Sequence, residues 1–371
     1  MVNKTTMRNP LFWMGIGLAV IVAISATILS KWIGENLLGF SRSPISAIMM
    51  AIFLGMVIAN IVSLNKFLIE GLRFCSTTIL RFGIVLLGIR LSLFVAGKFT
   101  LIALPFVLIA ITIGLTIVGL VGKYMGLSKQ LSGLIAVGTS ICGATAIIAI
   151  APQIKAKEAE VSYAIACITI FGLVAMFLYP IFSYELFPEK PVLAGLFLGT
   201  SIHETAQVAG AGMIYEAQYS TPIALDVATV TKLVRNLCMI IVIPFVGFLY
   251  SSDRKRHANK NNIRWFSMIP WFIVGFALMS AFRTLGDLAA TSFGVLDQQQ
   301  WGEFVSSIKN IAEQCLLVAM AAIGLTTLFS NMYQIGIKPF ILGFFAALLV
   351  GGISLASIIF FADYVIKIIG F

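Results

Sequence analysis

Apolar runs of about 20 residues recur along this chain, and no other feature restricts its fold as strongly. Each is long enough to cross a hydrocarbon core of ~30 Å as an α-helix. They fall at about 11–30, 44–62, 72–93, 100–121, 131–151, 161–182, 191–212, 223–250, 266–285, 305–329 and 338–361. The expected fold is an all-α polytopic membrane protein, a single transmembrane domain over residues 1–371 with the lipid bilayer as its surroundings.

Charge is correspondingly sparse. Only 11% of the 371 residues are charged, against roughly 25% in soluble domains. The net charge of +10 is spread over short loops rather than gathered in a stripe, which excludes a nucleic-acid surface and fits the positive-inside bias. The strongest orientation signal is the basic loop 251–264, with Arg254, Lys255, Arg256, His257, Lys260 and Arg264. Placing it in the cytoplasm puts Lys4 and Arg8, and so the N-terminus, on the same side. The first run is longer than the apolar core of a signal peptide and reads as a retained helix. Eleven full crossings satisfy this parity. Segments five and seven drawn as re-entrant hairpins satisfy it equally and move the Lys155–Glu158 loop inside. Cys75, Cys142, Cys167, Cys238 and Cys315 lie in apolar surroundings without a CxxC pair, a pattern of neither disulfide framework nor zinc site.

Two stretches interrupt the apolar pattern in the same way. Gly138-Thr139-Ser140-Ile141-Cys142-Gly143-Ala144-Thr145 is echoed 61 positions later by Gly199-Thr200-Ser201-Ile202-His203-Glu204-Thr205-Ala206. Glycine and small hydroxyl residues weaken a helix and leave backbone polar groups in need of partners. In hydrocarbon such groups survive only where they are buried in protein or line a cavity. Broken helices of this kind commonly form the binding sites of transporters. A weaker echo joins Gly88-Ile89-Arg90-Leu91-Ser92-Leu93 to Gly324-Leu325-Thr326-Thr327-Leu328-Phe329, two segments of opposite direction, as an inverted repeat requires.

Ionisable groups within the apolar segments are few and costly. They are Arg81, His203, Glu204, Asp226, Lys232 and Arg235. Thr229, Lys232, Arg235 and Asn236 fall on one helical face by three- and four-residue spacing. Two readings of that stripe stand side by side: the cations contact an anionic solute, or they pair with Asp226 or Glu204 to lock helices together. His203 is a proton carrier or an anion donor, or else a histidine bonded to a carbonyl freed by the break. Glu204 beside it is suited to relaying a proton. The candidate solute ligands are Thr139, Ser140, Gly143, Thr145, Thr200, Ser201, Thr205, Thr229, Lys232 and Arg235, with Arg81 and Asp226 as structural or coupling charges. His203-Glu204-Thr205-Ala206-Gln207 lacks the second histidine of a zinc protease motif, and Cys142 reads as packing rather than as a nucleophile. No phosphate-binding loop is present to draw on ATP. The expectation is therefore neither an enzyme nor a cofactor or metal protein.

At this point the residues carry a resemblance. Leu80-Arg81-Phe82-Gly83-Ile84-Val85-Leu86-Leu87-Gly88, the Cys142–Ala146 stretch with Ala151-Pro152 and Lys155–Glu158, the Gly199–Thr205 stretch with Val208–Gly212, and Val230–Asn236 together resemble the YeiH-type family of bacterial inner-membrane proteins. Glu204 stands where many members have aspartate, which keeps the acid. The family bears a sulfate-exporter label. The resemblance implies an inner-membrane location, export of sulfate, sulfite or a sulfonate, and kinship with inverted-repeat carriers whose broken helices cross. The combined expectation is a secondary transporter of a small anionic solute working by alternating access, with room for a homo-oligomer. A cation/proton antiporter using Glu204 and Asp226, or a membrane sensor that moves nothing, are the rivals.

Overall fold

The computed structural model describes residues 9–37, 46–250, 270–288, 297–328 and 336–370. The basic loop 251–264, Lys4, Arg8 and Phe329 lie outside these residues. Among the described residues there is no β-strand. The helices are α1 (Pro10–Trp32, prolonged by a π-helical turn Ile33–Leu37), α2 (Ala47–Ile61), α3 (Lys66–Phe74), α4 (Leu80–Leu87), α5 (Leu93–Tyr124), α6 (Lys129–Ser140), α7 (Ala144–Ile150) and α8 (Glu158–Leu186). They continue as α9 (Pro191–Ser201), α10 (Thr205–Tyr219), α11 (Pro222–Leu237), α12 (Met239–Tyr250), α13 (Trp271–Asp287), α14 (Gln298–Thr326) and α15 (Ile337–Ile369).

Short polar residues start several of these helices. Asn9 accepts from the Leu11 N–H at 3.0 Å ahead of Pro10. Ser128 accepts from the Leu131 N–H at 3.1 Å to open α6. Asp297 and Gln300 form a reciprocal capping box at α14. Each supplies a partner to first-turn amides that have none inside the helix.

Each of the eleven apolar runs contains helix, but helix length supports fewer crossings than eleven. Seven helical runs among the described residues are long and apolar enough to cross: Pro10–Leu37, Lys66–Arg90, Leu93–Tyr124, Glu158–Leu186, Pro222–Tyr250, Gln298–Thr326 and Ile337–Ile369. Segments five and seven are each split in two, as α6/α7 and α9/α10. At 1.5 Å per residue the 12 residues of α6 reach about 18 Å and the 11 of α9 about 17 Å, so each first half alone is shorter than a hydrocarbon core of ~30 Å.

The chain divides into two compact units. The first comprises Met1–Ala96, Ala209–Asp226 and Gly275–Ser330, and the second Gly97–Val208, Val227–Val274 and Asn331–Phe371. In the first unit, α14 packs along α2 and α4, and α1 packs on α2 and α3. A Cβ on Gly324 would sit 2.4 Å from the Ile52 carbonyl oxygen, and one on Gly55 2.7 Å from that of Ala321. The α2 and α14 backbones therefore touch, a contact that any side chain at these positions would prevent. In the second unit, α8 and α15 brace α6 and α9, around a core that includes Leu134, Ile135, Ile147, Ile150 and Ile168.

Candidate functional site

Both sequence echoes are breaks in helices, and both lie in the second unit. At the first, α6 stops at Ser140, and Gly143 takes φ +68° before α7 begins, a left-handed conformation that favours glycine. At the second, Ile202 is extended, with φ −79° and ψ 138°, and α10 begins at Thr205. The two breaks meet: a Cβ on Gly143 would lie 3.3 Å from the Cβ of Glu204.

A helix that ends inside a protein leaves its last carbonyls without intrahelical donors and a partial negative charge at its end. Two such ends, those of α6 and α9, are served by one face of α11. The Lys232 ammonium donates to the carbonyls of Ile141 at 2.9 Å, Ile202 at 3.0 Å, and His203. The Arg235 guanidinium donates through Nε to Ser140 O at 2.8 Å, through Nη1 to Thr200 O at 2.8 Å and Ile202 O at 3.0 Å, and through Nη2 to Thr139 O. Both side chains are fully buried. Gly199 makes this geometry possible, because a Cβ there would lie 2.6 Å from the Cβ of Thr231 and 2.8 Å from the Ala228 carbonyl on α11.

These carbonyls are partners that neither reading of the polar stripe named. All three donors of Lys232 are spent on backbone carbonyls, so none is left for a solute in this conformation. No ion pair links Lys232 or Arg235 to Asp226 or Glu204 among the described residues. The stripe itself is as spaced: Thr229, Lys232, Arg235 and Asn236 are all buried on α11. Asn236 also reaches the second break, its Nδ2 donating to Thr205 Oγ1 at 3.1 Å.

The hydroxyl candidates divide. Thr139 and Thr200 donate to carbonyls of their own helices, Ile135 O and Leu196 O, at 2.8 and 2.7 Å, and Ser201 donates to Phe197 O at 2.5 Å. Their protons are committed and only oxygen lone pairs remain. Ser140 is buried with its hydroxyl lying over Gly114 of α5, where a Cβ would come within 2.4 Å, so it offers the crossing its carbonyl rather than its side chain. Thr145 is exposed on α7, apart from the buried group. Cys142 directs its thiol at Met239 Sδ, 2.9 Å away.

His203 is 1% exposed, and neither ring nitrogen has a hydrogen-bond partner. Its ring lies beside the Thr139 carbonyl at the first break and the Arg235 and Lys232 cations. Glu204, at the head of α10, donates its N–H to Gln207 Oε1 at 3.3 Å.

Asp226 belongs to the first unit, and its partner there is Arg90. The Arg90 guanidinium meets Asp226 at 2.7 Å, Glu216 at 2.7 Å and Glu313 at 3.4 Å. Arg90 closes a run that looks like a segment end, where a long cation can reach water; its side chain is instead 5% exposed. The signal available in the sequence was the pair of acids, Glu216 and Asp226, flanking a short loop. Arg81, also of the first unit, is half-buried on α4.

The family model described as Conserved hypothetical protein 698 matches residues 15–343. A UPF0324 membrane protein of Bacillus anthracis is 33% identical over 93% of this chain and 92% of its own length. One from Bacteroides thetaiotaomicron is 33% identical over 88% and 93%. The UPF0324 inner membrane protein YeiH of Escherichia coli is 32% identical over 89% and 91%. Matches this long, to relatives of nearly equal length, place the chain in the UPF0324 family of membrane proteins, to which YeiH also belongs.

Proposed function

We propose that this membrane protein is a secondary transporter of a small anion, sulfite or sulfate being the first to test, with its site at the crossing of α6/α7 and α9/α10. The observation that carries the reading is the buried charge at that crossing. Two helix C-termini and two helix N-termini converge, so their partial charges cancel in pairs. What remains is Lys232 and Arg235 against the single carboxylate of Glu204, an excess of one positive charge with no counter-ion bonded to it among the described residues. An excess of that sign in a low-dielectric setting attracts an anion.

The cations supply field rather than ligands. Direct contact would come from the His203 imidazole, whose nitrogens are unbonded, and from the first-turn amides of α10. Glu204 beside them would carry a proton. Inner-membrane location with a cytoplasmic N-terminus, and an inverted repeat through Gly88–Leu93 and Gly324–Phe329, belong to the same reading. Antiport of a cation through Glu204 and Asp226 is less favoured, since Asp226 is held by Arg90 in the other unit.

The test is uptake of labelled sulfite and sulfate into proteoliposomes under imposed pH gradients, comparing the unaltered protein with His203→Ala. Gradient-dependent flux that the variant loses is the expected result. Absence of flux of either anion in folded protein would overturn the reading, sodium-dependent flux would replace it with antiport, and anion binding without flux with a sensor.

A further inference from the structure

Gln207 sits three residues beyond Glu204, the position from which a glutamine can reach back to a helix-capping residue. Its side chain joins three elements of the second unit. Gln207 is 2% exposed. Its Oε1 accepts the Glu204 N–H at 3.3 Å, and its Nε2 donates to the Thr169 carbonyl of α8 at 3.2 Å. The amide fits there because α8 has a glycine one turn further on. A Cβ on Gly172 would lie 2.0 Å from Gln207 Oε1, 2.7 Å from Cδ and 2.8 Å from Nε2. A methyl group at that position therefore displaces the whole amide, not the tip of a flexible chain.

On the opposite side, Glu204 lies against Gly143, whose hypothetical Cβ would approach its Cβ to 3.3 Å and its Cα to 3.5 Å. Glu204 is thus fixed from two directions, by the first break and by the Gln207 amide. Neighbouring residues on a regular helix point about 100° apart, so the non-helical backbone at the second break is what lets His203 and Glu204 serve one site. The Gln207 side chain ties that irregular backbone to α8 beside it.

We infer that Gln207, seated in the space left by Gly172, is a positioning residue that sets the ionisation environment of Glu204. The role rests on the transporter reading insofar as it concerns flux, but the placement of Glu204 is testable without flux. The charged and titratable groups facing Glu204 are Lys232 on α11 and Cys142 in the first break, with His203 next to it in the chain and Arg235 bonded to the Ile202 carbonyl of the same break. None of them is a hydrogen-bond partner of Gln207, whose amide bonds the Glu204 N–H and the Thr169 carbonyl.

The experiment measures modification of Glu204 by an apolar carbodiimide, which reacts with the protonated carboxyl, as a function of pH. Labelling at residue 204 is read by mass spectrometry, with Glu204→Gln as the blank. The variants are Gly172→Ala, Gln207→Ala, their combination, and Gln207→Met, which keeps the volume and removes both hydrogen bonds. The pH midpoint of labelling should move by about half a unit or more in Gly172→Ala, Gln207→Ala and Gln207→Met, in one direction. The double variant should match Gln207→Ala alone, since a methyl at 172 has no amide left to displace.

An unmoved midpoint in Gly172→Ala and Gln207→Met, or single effects that simply add, would overturn the inference. In proteoliposomes the same variants should displace the pH profile of anion flux at unchanged yield of folded protein. Labelling that responds to residue 207 in a protein that moves no anion would spare the positioning role and sink the transporter reading. Anion flux with labelling and pH profile indifferent to residue 207 would do the reverse.

Discussion

The two compact units bury helix backbones in opposite ways. In the first, continuous helices approach until glycines let backbone meet backbone, as at Gly55 and Gly324 between α2 and α14. The buried cation Arg90 there is matched by side-chain carboxylates. In the second, two helices are interrupted, and buried cations take up the carbonyls that the interruptions release. A buried charge costs several kcal/mol unless it is fully hydrogen-bonded, and so does a set of orphaned carbonyls; each here supplies what the other lacks. The difference teaches what each unit depends on. Tight backbone contact leaves no room for a side chain at its glycines, whereas the breaks depend on the long side chains of Lys232 and Arg235.

Arg235→Ala should have the largest effect, about 4 kcal/mol, because the carbonyls of Thr139, Ser140, Thr200 and Ile202 all lose a donor. Hydrogen exchange should then rise around both breaks while the α2–α14 contact keeps its protection. Equal loss of protection in both units would break the contrast. Arg235→Lys should not restore stability, since a point charge lacks the planar fork that spans two helix ends.

Gly324→Val comes next, at about 3 kcal/mol, since the added atoms run into the Ile52 carbonyl oxygen 2.4 Å away. Thermal unfolding in detergent measures it, and a change below about 1 kcal/mol would mean the first unit is more pliable than the contact implies.

Arg90→Ala should cost less, about 2 kcal/mol, because its partners Glu216 and Glu313 are 26% and 41% exposed and so partly solvated. The loss should shrink as pH falls, since protonation relieves the repulsion among the three carboxylates left behind. A loss that grows on acidification would show that the guanidinium is not balancing them.

Ser280→Ala is the smallest, about 1 kcal/mol, from the single bond of Ser280 Oγ to the Gly88 carbonyl at 3.0 Å. Denaturant midpoints resolve it when the slope is unchanged.

Much of this protein can be read from its residues in order. Apolar length dictates helices in a bilayer, because hydrocarbon offers no partner to a free N–H or C=O. The paired Gly-Thr-Ser-Ile stretches mark both breaks, because glycine and short hydroxyl residues are poor helix formers at any depth. The spacing of Thr229, Lys232, Arg235 and Asn236 puts them on one face, because the helical period is a local property. Even the Glu204–Gln207 tie has a local signature in its three-residue spacing.

Partners were decided elsewhere. Nothing near Lys232 in sequence announces that it will meet carbonyls at Ile141, 91 positions away, and Ile202, 30 positions away. A buried ammonium accepts any oxygen of suitable geometry, so carboxylate, solute and carbonyl were chemically equivalent candidates until packing chose. Asp226 likewise had Lys232 within two turns of its own helix and found Arg90 instead. Local rules specify which groups need a partner; only the tertiary structure, by bringing distant backbone and side chains to within 3 Å, assigns one.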